Sequence, residues 1–279
     1  MTIELARPAR TGERRLTCPI CRSPRLSDFW LERNLERCAD CGMIFRNPQP
    51  PASELGRHYQ DAYAEDRVAA GTTNEAGTTI DYARIYVRRL ARDLGRAGFV
   101  GERVLDVGAG TGEMSLALRE AGAGVVAVEP FAARYCESRG IETYRSLESA
   151  AGTGQFDGAV AVDVIEHMDD PLRSLGRIFE RLKPGGWCYL ATLNTSGLNA
   201  RLRGANWREA RKPDHLFFYT EQSLRQLLDL VGFEDYRRLN WSIRYPHSRP
   251  RMFAALALQA LRLDSELRVI CRRPPERRR

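Results

Sequence analysis

Seven cysteines, four histidines and a tight run of glycines are the residues of this chain whose types and spacing suit chemistry. Cys18-Pro-Ile-Cys21 and Cys38-Ala-Asp-Cys41 are two C-x2-C pairs with sixteen residues between them, inside the window of about x15 to x20 that marks a four-thiolate zinc ribbon. Each pair sets two sulfurs on one turn, Gly42 can supply the left-handed residue after the second pair, and DFWLERNLER is long enough for a hairpin. Four thiolates close a tetrahedron and leave no place for water, so Cys18, Cys21, Cys38 and Cys41 are expected to hold a structural zinc. The odd cysteine count argues against a disulfide framework. Cys136, Cys188 and Cys271 stand alone in apolar stretches and are expected in the core.

The glycines form a second signal. A strand ending at Val107 runs into Gly108-Ala109-Gly110-Thr111-Gly112 and then into a helical pattern. Glycine lets the backbone bend sharply and approach a ligand, and the helix start presents free N–H groups. Glu129 follows Gly108 by twenty-one residues, at the end of the next strand, where an acid can accept hydrogen bonds from both hydroxyls of a ribose. Two cofactors fit this pattern, a nicotinamide dinucleotide and S-adenosylmethionine. The spacing D-x-G-x-G-x-G, with Asp106 before the first glycine, departs from the dinucleotide pattern G-x-G-x-x-G.

Around these residues, short apolar runs alternate with helical periodicities. RVLDVG precedes a helix from Met114, VVAVEP precedes Ala132–Arg139, DGAVAVDV precedes Pro171–Leu182, and WCYLATLN follows. That alternation predicts a mostly parallel sheet with helices on both faces. Ahead of it, Asp81–Gly98 reads as an amphipathic helix through Ile85, Val87, Leu90 and Leu94, and Leu55, Tyr59 and Tyr63 recur at four-residue spacing on another. AGTTNEAGTT reads as a mobile loop and Thr195–Leu216 as a loop. Glu221–Val231 reads as a helix closed by Gly232, with final strands in FEDYRRLNWSIRY and ELRVICRR. The division expected is a tail over 1–15, a zinc ribbon over 16–46, a linker and lid helix over 47–80, a cofactor-binding domain over 81–273 and a basic tail over 274–279.

The net charge of +7 is concentrated at the ends: RRPPERRR carries +4 and residues 1–15 carry +2, leaving +1 for residues 16–271. A near-neutral body argues against a polyanion-binding face. No apolar run reaches the roughly 18 to 20 residues of a membrane span, and the charged start MTIELARPARTGERR lacks the apolar region of a secretory signal. A cytoplasmic location away from the membrane is expected.

LDVGAGTG, VEP, FDGAVAVDVIEHMDDP, LKPGGWCYLATLN and DHLFFYTEQSLRQLLDLVGFE, in this order, resemble the successive motifs of class I S-adenosylmethionine-dependent methyltransferases, over roughly Tyr82 to Arg273. The front segment with its two C-x2-C pairs is similar to the zinc-ribbon start of bacterial small-molecule methyltransferases, deoxysugar C-methyltransferases among them. The rear half also resembles ubiquinone-pathway O-methyltransferases. The resemblance implies an α/β, Rossmann-like fold with a mostly parallel seven-stranded sheet, and S-adenosylmethionine as cofactor. It implies that Gly108, Ala109 and Gly110 lie against the methionine and ribose, that Asp106 orients the loop and that Glu129 grips the ribose. Val162 and Asp163 would face the amino-acid end and the reaction mouth, and Leu147 would border the adenine. Tyr82 either reaches the cofactor carboxylate or packs its helix.

Methyl transfer from a sulfonium is an in-line displacement that needs close positioning and exclusion of water. A hydroxyl or carbon acceptor must also lose a proton, for which histidine is suited near neutral pH. His215, in PDHLFFY, and His167, in IEHM, are the candidate bases, with His215 placed ahead; His58 and His247 have no supporting context. The residues MDDP after His167 read as a helix cap followed by Pro171. Tyr59, Tyr63, Asn194, Trp207 and Tyr219 are the candidate acceptor-pocket residues. The function expected is O- or C-methylation of a small molecule in a bacterial biosynthetic pathway. The alternatives are a zinc-module RNA methyltransferase, which the mixed charge of Thr17–Phe45 argues against, and a non-catalytic cofactor-binding partner subunit that docks through the ribbon.

Overall fold

A computed structural model of the chain describes residues 14–64, 80–240 and 257–276. The glycine- and threonine-rich loop, most of the amino-terminal tail, the last three residues of the basic tail and the later part of the penultimate strand lie outside the described residues. The larger sheet has seven strands in the order β10-β11-β8-β7-β4-β5-β6. Its members are β4 (Arg103–Val107), β5 (Gly124–Val128), β6 (Glu142–Tyr144), β7 (Phe156–Val162), β8 (Leu182–Leu193), β10 (Glu234–Arg238) and β11 (Glu266–Arg272). Strands β6, β5, β4, β7 and β8 are parallel, and β11 and β10 close one side antiparallel. Valine and alanine dominate β4, β5 and β7 and are buried along most of their length, as a sheet covered on both faces requires.

Helices α1 (Ala52–Ala62), α2 (Ile80–Asp93), α3 (Glu113–Glu120), α4 (Ala133–Ser138), α5 (Pro171–Arg181), α6 (Leu198–Arg203), α7 (Arg208–Arg211) and α8 (Glu221–Val231) surround it. In α2 the buried positions Ala83, Tyr86, Val87, Leu90 and Ala91 repeat at three- and four-residue intervals and pack on α3. The helix stops at Asp93, short of the expected Gly98, where left-handed Gly95 ends the ladder. Asp170 caps α5 by accepting from the Arg173 N–H at 3.0 Å, with Pro171 at the first position. Thr220 and Ser223 form a capping box on α8, and left-handed Gly232 closes it, at the bounds expected.

One reading needs correction, and two strands differ from the sequence pattern. The Thr195–Leu216 stretch is not plain loop, for it holds α6 and α7, each too short to show a periodicity. Strand β6 is three residues at the sheet edge, too brief for an alternation to register. Strand β8 starts at Leu182, ahead of the WCYLATLN run that marks it in the sequence.

The smaller sheet is antiparallel in the order β1-β2-β3-β9: β1 (Leu26–Trp30), β2 (Leu35–Cys38), β3 (Ile44–Arg46) and β9 (Phe217–Phe218). The first three are the expected ribbon hairpin and its return strand. The fourth comes from the carboxyl-terminal half of the chain. Cys18, Met43 and Phe45 accordingly share one buried cluster with Leu105, Ile165 and Leu224, and the ribbon has no separate core. Cys136, Cys188 and Cys271 are buried, as expected. Among the described residues no helix is long and apolar enough to cross a membrane.

In the chain, β4 is followed by β5 on one side and, after β6, by β7 on its other side, so the strand order reverses at β4. The crevice beyond the carboxyl ends of β4 and β7 is where such a sheet binds ligands. Toward the other, amino-terminal end of β7 the sheet's packing depends on Gly158, where any Cβ would overlap the Trp187 indole. That ring is anchored by its Nε1–H donating to Glu102 at 3.1 Å. Gly158→Ala should therefore destabilise the chain by about 1–3 kcal/mol, read as a fall in melting temperature, and Trp187→Leu in the same chain should restore part of the loss.

Candidate cofactor and acceptor site

Gly108 leaves β4 with φ +68° and donates its N–H to the Val128 carbonyl at 2.8 Å. A Cβ at this position would overlap the Val164 side chain in the turn after β7, so the two turns touch where only a glycine fits. Gly110 (φ +56°) donates to Glu129 Oε2 at 2.8 Å. Glu129 Oε1 accepts from the N–H groups of Phe131 at 2.8 Å and Ala132 at 3.0 Å. The buried carboxylate is thus held by three backbone donors, from the glycine turn on one side and the start of α4 on the other. Asp106 lies one layer below. It accepts from Ser115 Oγ at 2.5 Å, so its hold is on α3 rather than on the loop itself. Burial pushes its carboxyl up to about 7 against the pull of that hydrogen bond. Leu147 is buried in the main core cluster. Tyr82 stands on the more exposed side of α2, 36% accessible.

The end of α1 covers this loop. The Tyr63 hydroxyl lies 3.5 Å from where a Cβ on Gly110 would stand, and the Tyr63 carbonyl accepts from Arg134 at 2.9 Å and the Tyr135 hydroxyl at 3.2 Å. Tyr59, one turn earlier, stacks on Phe131 with ring centroids 4.6 Å apart. Both tyrosines face the cofactor turns as well as the adjoining cavity.

That cavity, about 790 Å³, is lined by residues from five regions, one of them Ser265 and Glu266 at the start of β11. Tyr59, Tyr63 and His58 come from α1, Asp163, Glu166 and His167 from the turn after β7, Leu193 from β8, and Trp207, Asp214 and His215 from the segment before β9. Asp163 takes a left-handed conformation (φ +54°) directly after Val162 and donates its N–H to the Ala191 carbonyl at 2.9 Å. His167 Nδ1 lies 3.0 Å from the Asp214 carbonyl, 3.3 Å from its Oδ2 and 3.0 Å from the Tyr59 hydroxyl. His58 Nε2 is 3.6 Å from the same Asp214 oxygen. The ring of His215 stands edge-on to that of His167, with centroids 4.7 Å apart.

Three imidazoles therefore surround one carboxylate, and their ionisation follows. Burial opposes charge on Asp214, but the imidazoles of His167, His215 and His58 outweigh it and hold the carboxyl well below the usual range. Burial also favours neutral His167, yet Asp214 and Glu166 outweigh that and raise its pKa. His215 is pushed far down by burial and by His167 beside it. The side chain of His167 is 23% exposed and that of His215 only 4%. His58 and Asp214 escaped selection in the sequence. For Asp214 a signal was present in the Asp-His pair; for His58 no local pattern marks a residue whose partner lies on another element.

Two expected pocket residues lie elsewhere. Asn194 donates to the Asp264 carbonyl at 2.8 Å and accepts from the Ser196 N–H at 3.0 Å, closing the turn after β8. Tyr219 is fully buried and donates to the Ile165 carbonyl at 3.0 Å, bracing the turn that carries His167. Both are frame, not lining. Trp207 does line the cavity, and its indole meets Trp30 of the ribbon hairpin edge-on at 6.3 Å.

The four ribbon sulfurs lie within 4.8 Å of one another. Cys18 Sγ is 3.5 Å from Cys41 Sγ, and Cys21 Sγ is 3.5 Å from Cys38 Sγ. A tetrahedral zinc with bonds of about 2.3 Å requires sulfur–sulfur edges of about 3.8 Å. Left-handed Arg22 and Gly42 close the two knuckles, their N–H groups donating to Cys18 and Cys38 carbonyls at 3.0 Å. The donor set and spacing fit that ion.

Residues 81–237, more than half of the chain, match the family model described as a methyltransferase domain. The ubiquinone biosynthesis O-methyltransferase of Ruegeria pomeroyi is 34% identical over 167 residues, covering 51% of this chain and 67% of that protein. Among solved structures, an S-adenosylmethionine-dependent methyltransferase from Archaeoglobus fulgidus aligns with TM-score 0.51 at 17% identity, over 70% of this chain and 94% of that one. The Burkholderia thailandensis 1,6-didemethyltoxoflavin-N1-methyltransferase, solved with its substrate and S-adenosylhomocysteine, aligns with TM-score 0.52 at 20% identity, over 85% and 97%. At these identities the two structures establish a shared Rossmann-like fold. The glycine turn, its buried acid and the matched family model together make this chain a member of the methyltransferase-domain family, an S-adenosylmethionine-dependent methyltransferase.

Proposed function

We propose that the enzyme methylates a hydroxyl oxygen of a small molecule bearing an acidic group, with His167 as the base. The observation that carries this reading is the Asp214–His167 pair, set at the cavity wall beside the turn after β7. The cofactor, when bound, supplies a methyl group on a sulfonium, which departs without its bonding electrons. Glu129, Gly108, Ala109 and Gly110 would hold its adenosyl part, and Val162 and Asp163 would border its amino-acid end. Tyr63 and Tyr59 exclude water from above. With Nδ1 engaged by Asp214, His167 has Nε2 with which to take the hydroxyl proton as the oxygen gains its methyl group, and Asp214 steadies the resulting imidazolium. His215, its side chain only 4% exposed, packs against the base and stands second to His167, which reverses the order expected from sequence. Arg203, Arg208, Arg211 and Lys212 line the part of the cavity formed by the 203–212 segment, where Glu209 is the acid among them, and this local basic cluster favours an acceptor with a carboxylate or phosphate. The name of the Ruegeria pomeroyi relative supports O-methylation. Cys18, Cys21, Cys38 and Cys41 would hold zinc with no open position, giving it no part in the reaction.

The direct test is methyl transfer to two hydroxy compounds identical except for a carboxylate, measured across pH. The acidic compound should have the higher kcat/KM. Its rate should fall on acidification through a midpoint above the ordinary imidazole value of about 6.5, because His167 is raised and must be neutral to act. Asp214→Asn should move that midpoint down, and His167→Ala should lower kcat by about 10²–10⁴; wild-type turnover in that variant would remove His167 from the role. Glu129→Gln should weaken calorimetric binding of S-adenosylhomocysteine by about 10- to 100-fold, the value of hydrogen bonds to a charged group, with circular dichroism unchanged. Metal analysis should find one zinc per wild-type chain and none in Cys38→Ser.

A further inference from the structure

Arg46 leaves the ribbon five residues after Cys41 and points into the other half of the molecule. Its guanidinium, nearly buried, donates to four backbone carbonyls: Nη1 to Arg33 at 2.6 Å, Nη2 to Lys212 at 2.9 Å and Ala210 at 3.3 Å, and Nε to His215 at 3.2 Å. Its own N–H donates to the Leu216 carbonyl at 2.8 Å. Burial lowers the guanidinium only to about 10, so it stays charged near neutral pH. A buried cation is retained where its donors are met, and here they are met almost wholly by the backbone that carries Asp214. A second ribbon arginine, Arg33, grips the same segment further back through the Ala205 carbonyl at 2.7 Å.

We propose that Arg46 is a positioning residue for the acceptor side of the active site: its fork fixes the 210–215 backbone so that Asp214 meets His167, leaving the cofactor turn untouched. The inference rests on the reading of the cavity as the acceptor site. The same contacts give the ribbon a task inside this chain, since β3 supplies both the fork and the strand against which β9 pairs. Lysine keeps the charge at this position but is a point donor that cannot span the set of carbonyls.

The test uses the full chain and no acceptor. The titration of His167 is followed by NMR of labelled imidazoles in wild type and in Arg46→Lys, and S-adenosylhomocysteine affinity is measured by calorimetry. The groups facing His167 are Tyr59 from α1, Glu166 on its own turn, and Asp214 and His215 from the clamped segment, with His58 reaching it through Asp214. In Arg46→Lys the His167 midpoint should shift down toward the ordinary imidazole value while the affinity stays as in wild type. An unmoved midpoint overturns the proposal, and so does a parallel loss of affinity, which would mark a general structural role. Should the variant not fold, the wild-type Arg46 Nε–H decides: slow exchange with water supports the clamp and rapid exchange overturns it. Because no acceptor is involved, failure here leaves the proposed reaction standing, and failure of methyl transfer leaves the clamp standing.

Discussion

The contact between Gly108 and Val164 is the constraint on which the arrangement turns. It joins the turn after β4 to the turn after β7, the two strands on either side of the point where strand order reverses. A side chain at Gly108 would push these turns apart. Everything on the cofactor side then follows β4 and β5: the glycine N–H groups, the buried Glu129, the start of α4. On the other side β7 leads to Asp163, Glu166 and His167, which meet Asp214 from the segment before β9. One glycine thus keeps the turn that carries the buried acid and the turn that carries the histidine in contact.

Features whose backbone geometry restricts residue identity were legible in the sequence. The glycine turn, the acid after β5, the paired cysteines and the Thr220-to-Gly232 span of α8 each need particular residues at particular offsets, and each stands where its spacing places it. What could not be read arises from contacts between distant segments. His58 and Asp214 meet only because α1 folds across the cavity. Tyr219 and Asn194 lie in the right stretch of chain but spend their polar atoms on backbone groups behind the wall. Helices α6 and α7 are a turn or so long, below the length at which an apolar repeat becomes visible.

Charge shows the same division. The excess of arginine looks like bulk composition along the chain, yet Arg46 and Arg33 are bound to specific carbonyls while others line the cavity. The carboxylates follow two patterns: Glu129 is held by N–H dipoles, and Asp214 is held by imidazoles. The first is a carboxylate fixed among backbone donors, and the second a carboxylate whose charge is coupled to titratable neighbours.

The pairing of β3 with β9 also bears on how the chain is made. Its two partners are separated by more than half the length of the protein, with Arg46 and the His215 carbonyl 169 residues apart. As the chain leaves the ribosome, the amino-terminal strands must wait with an open edge until Phe217 and Phe218 emerge. Contacts so far apart in sequence form late and slow the search, and an unpaired edge is a site for wrong partners in the interval. A metal bound early at the knuckles would keep that edge small and ordered through the delay.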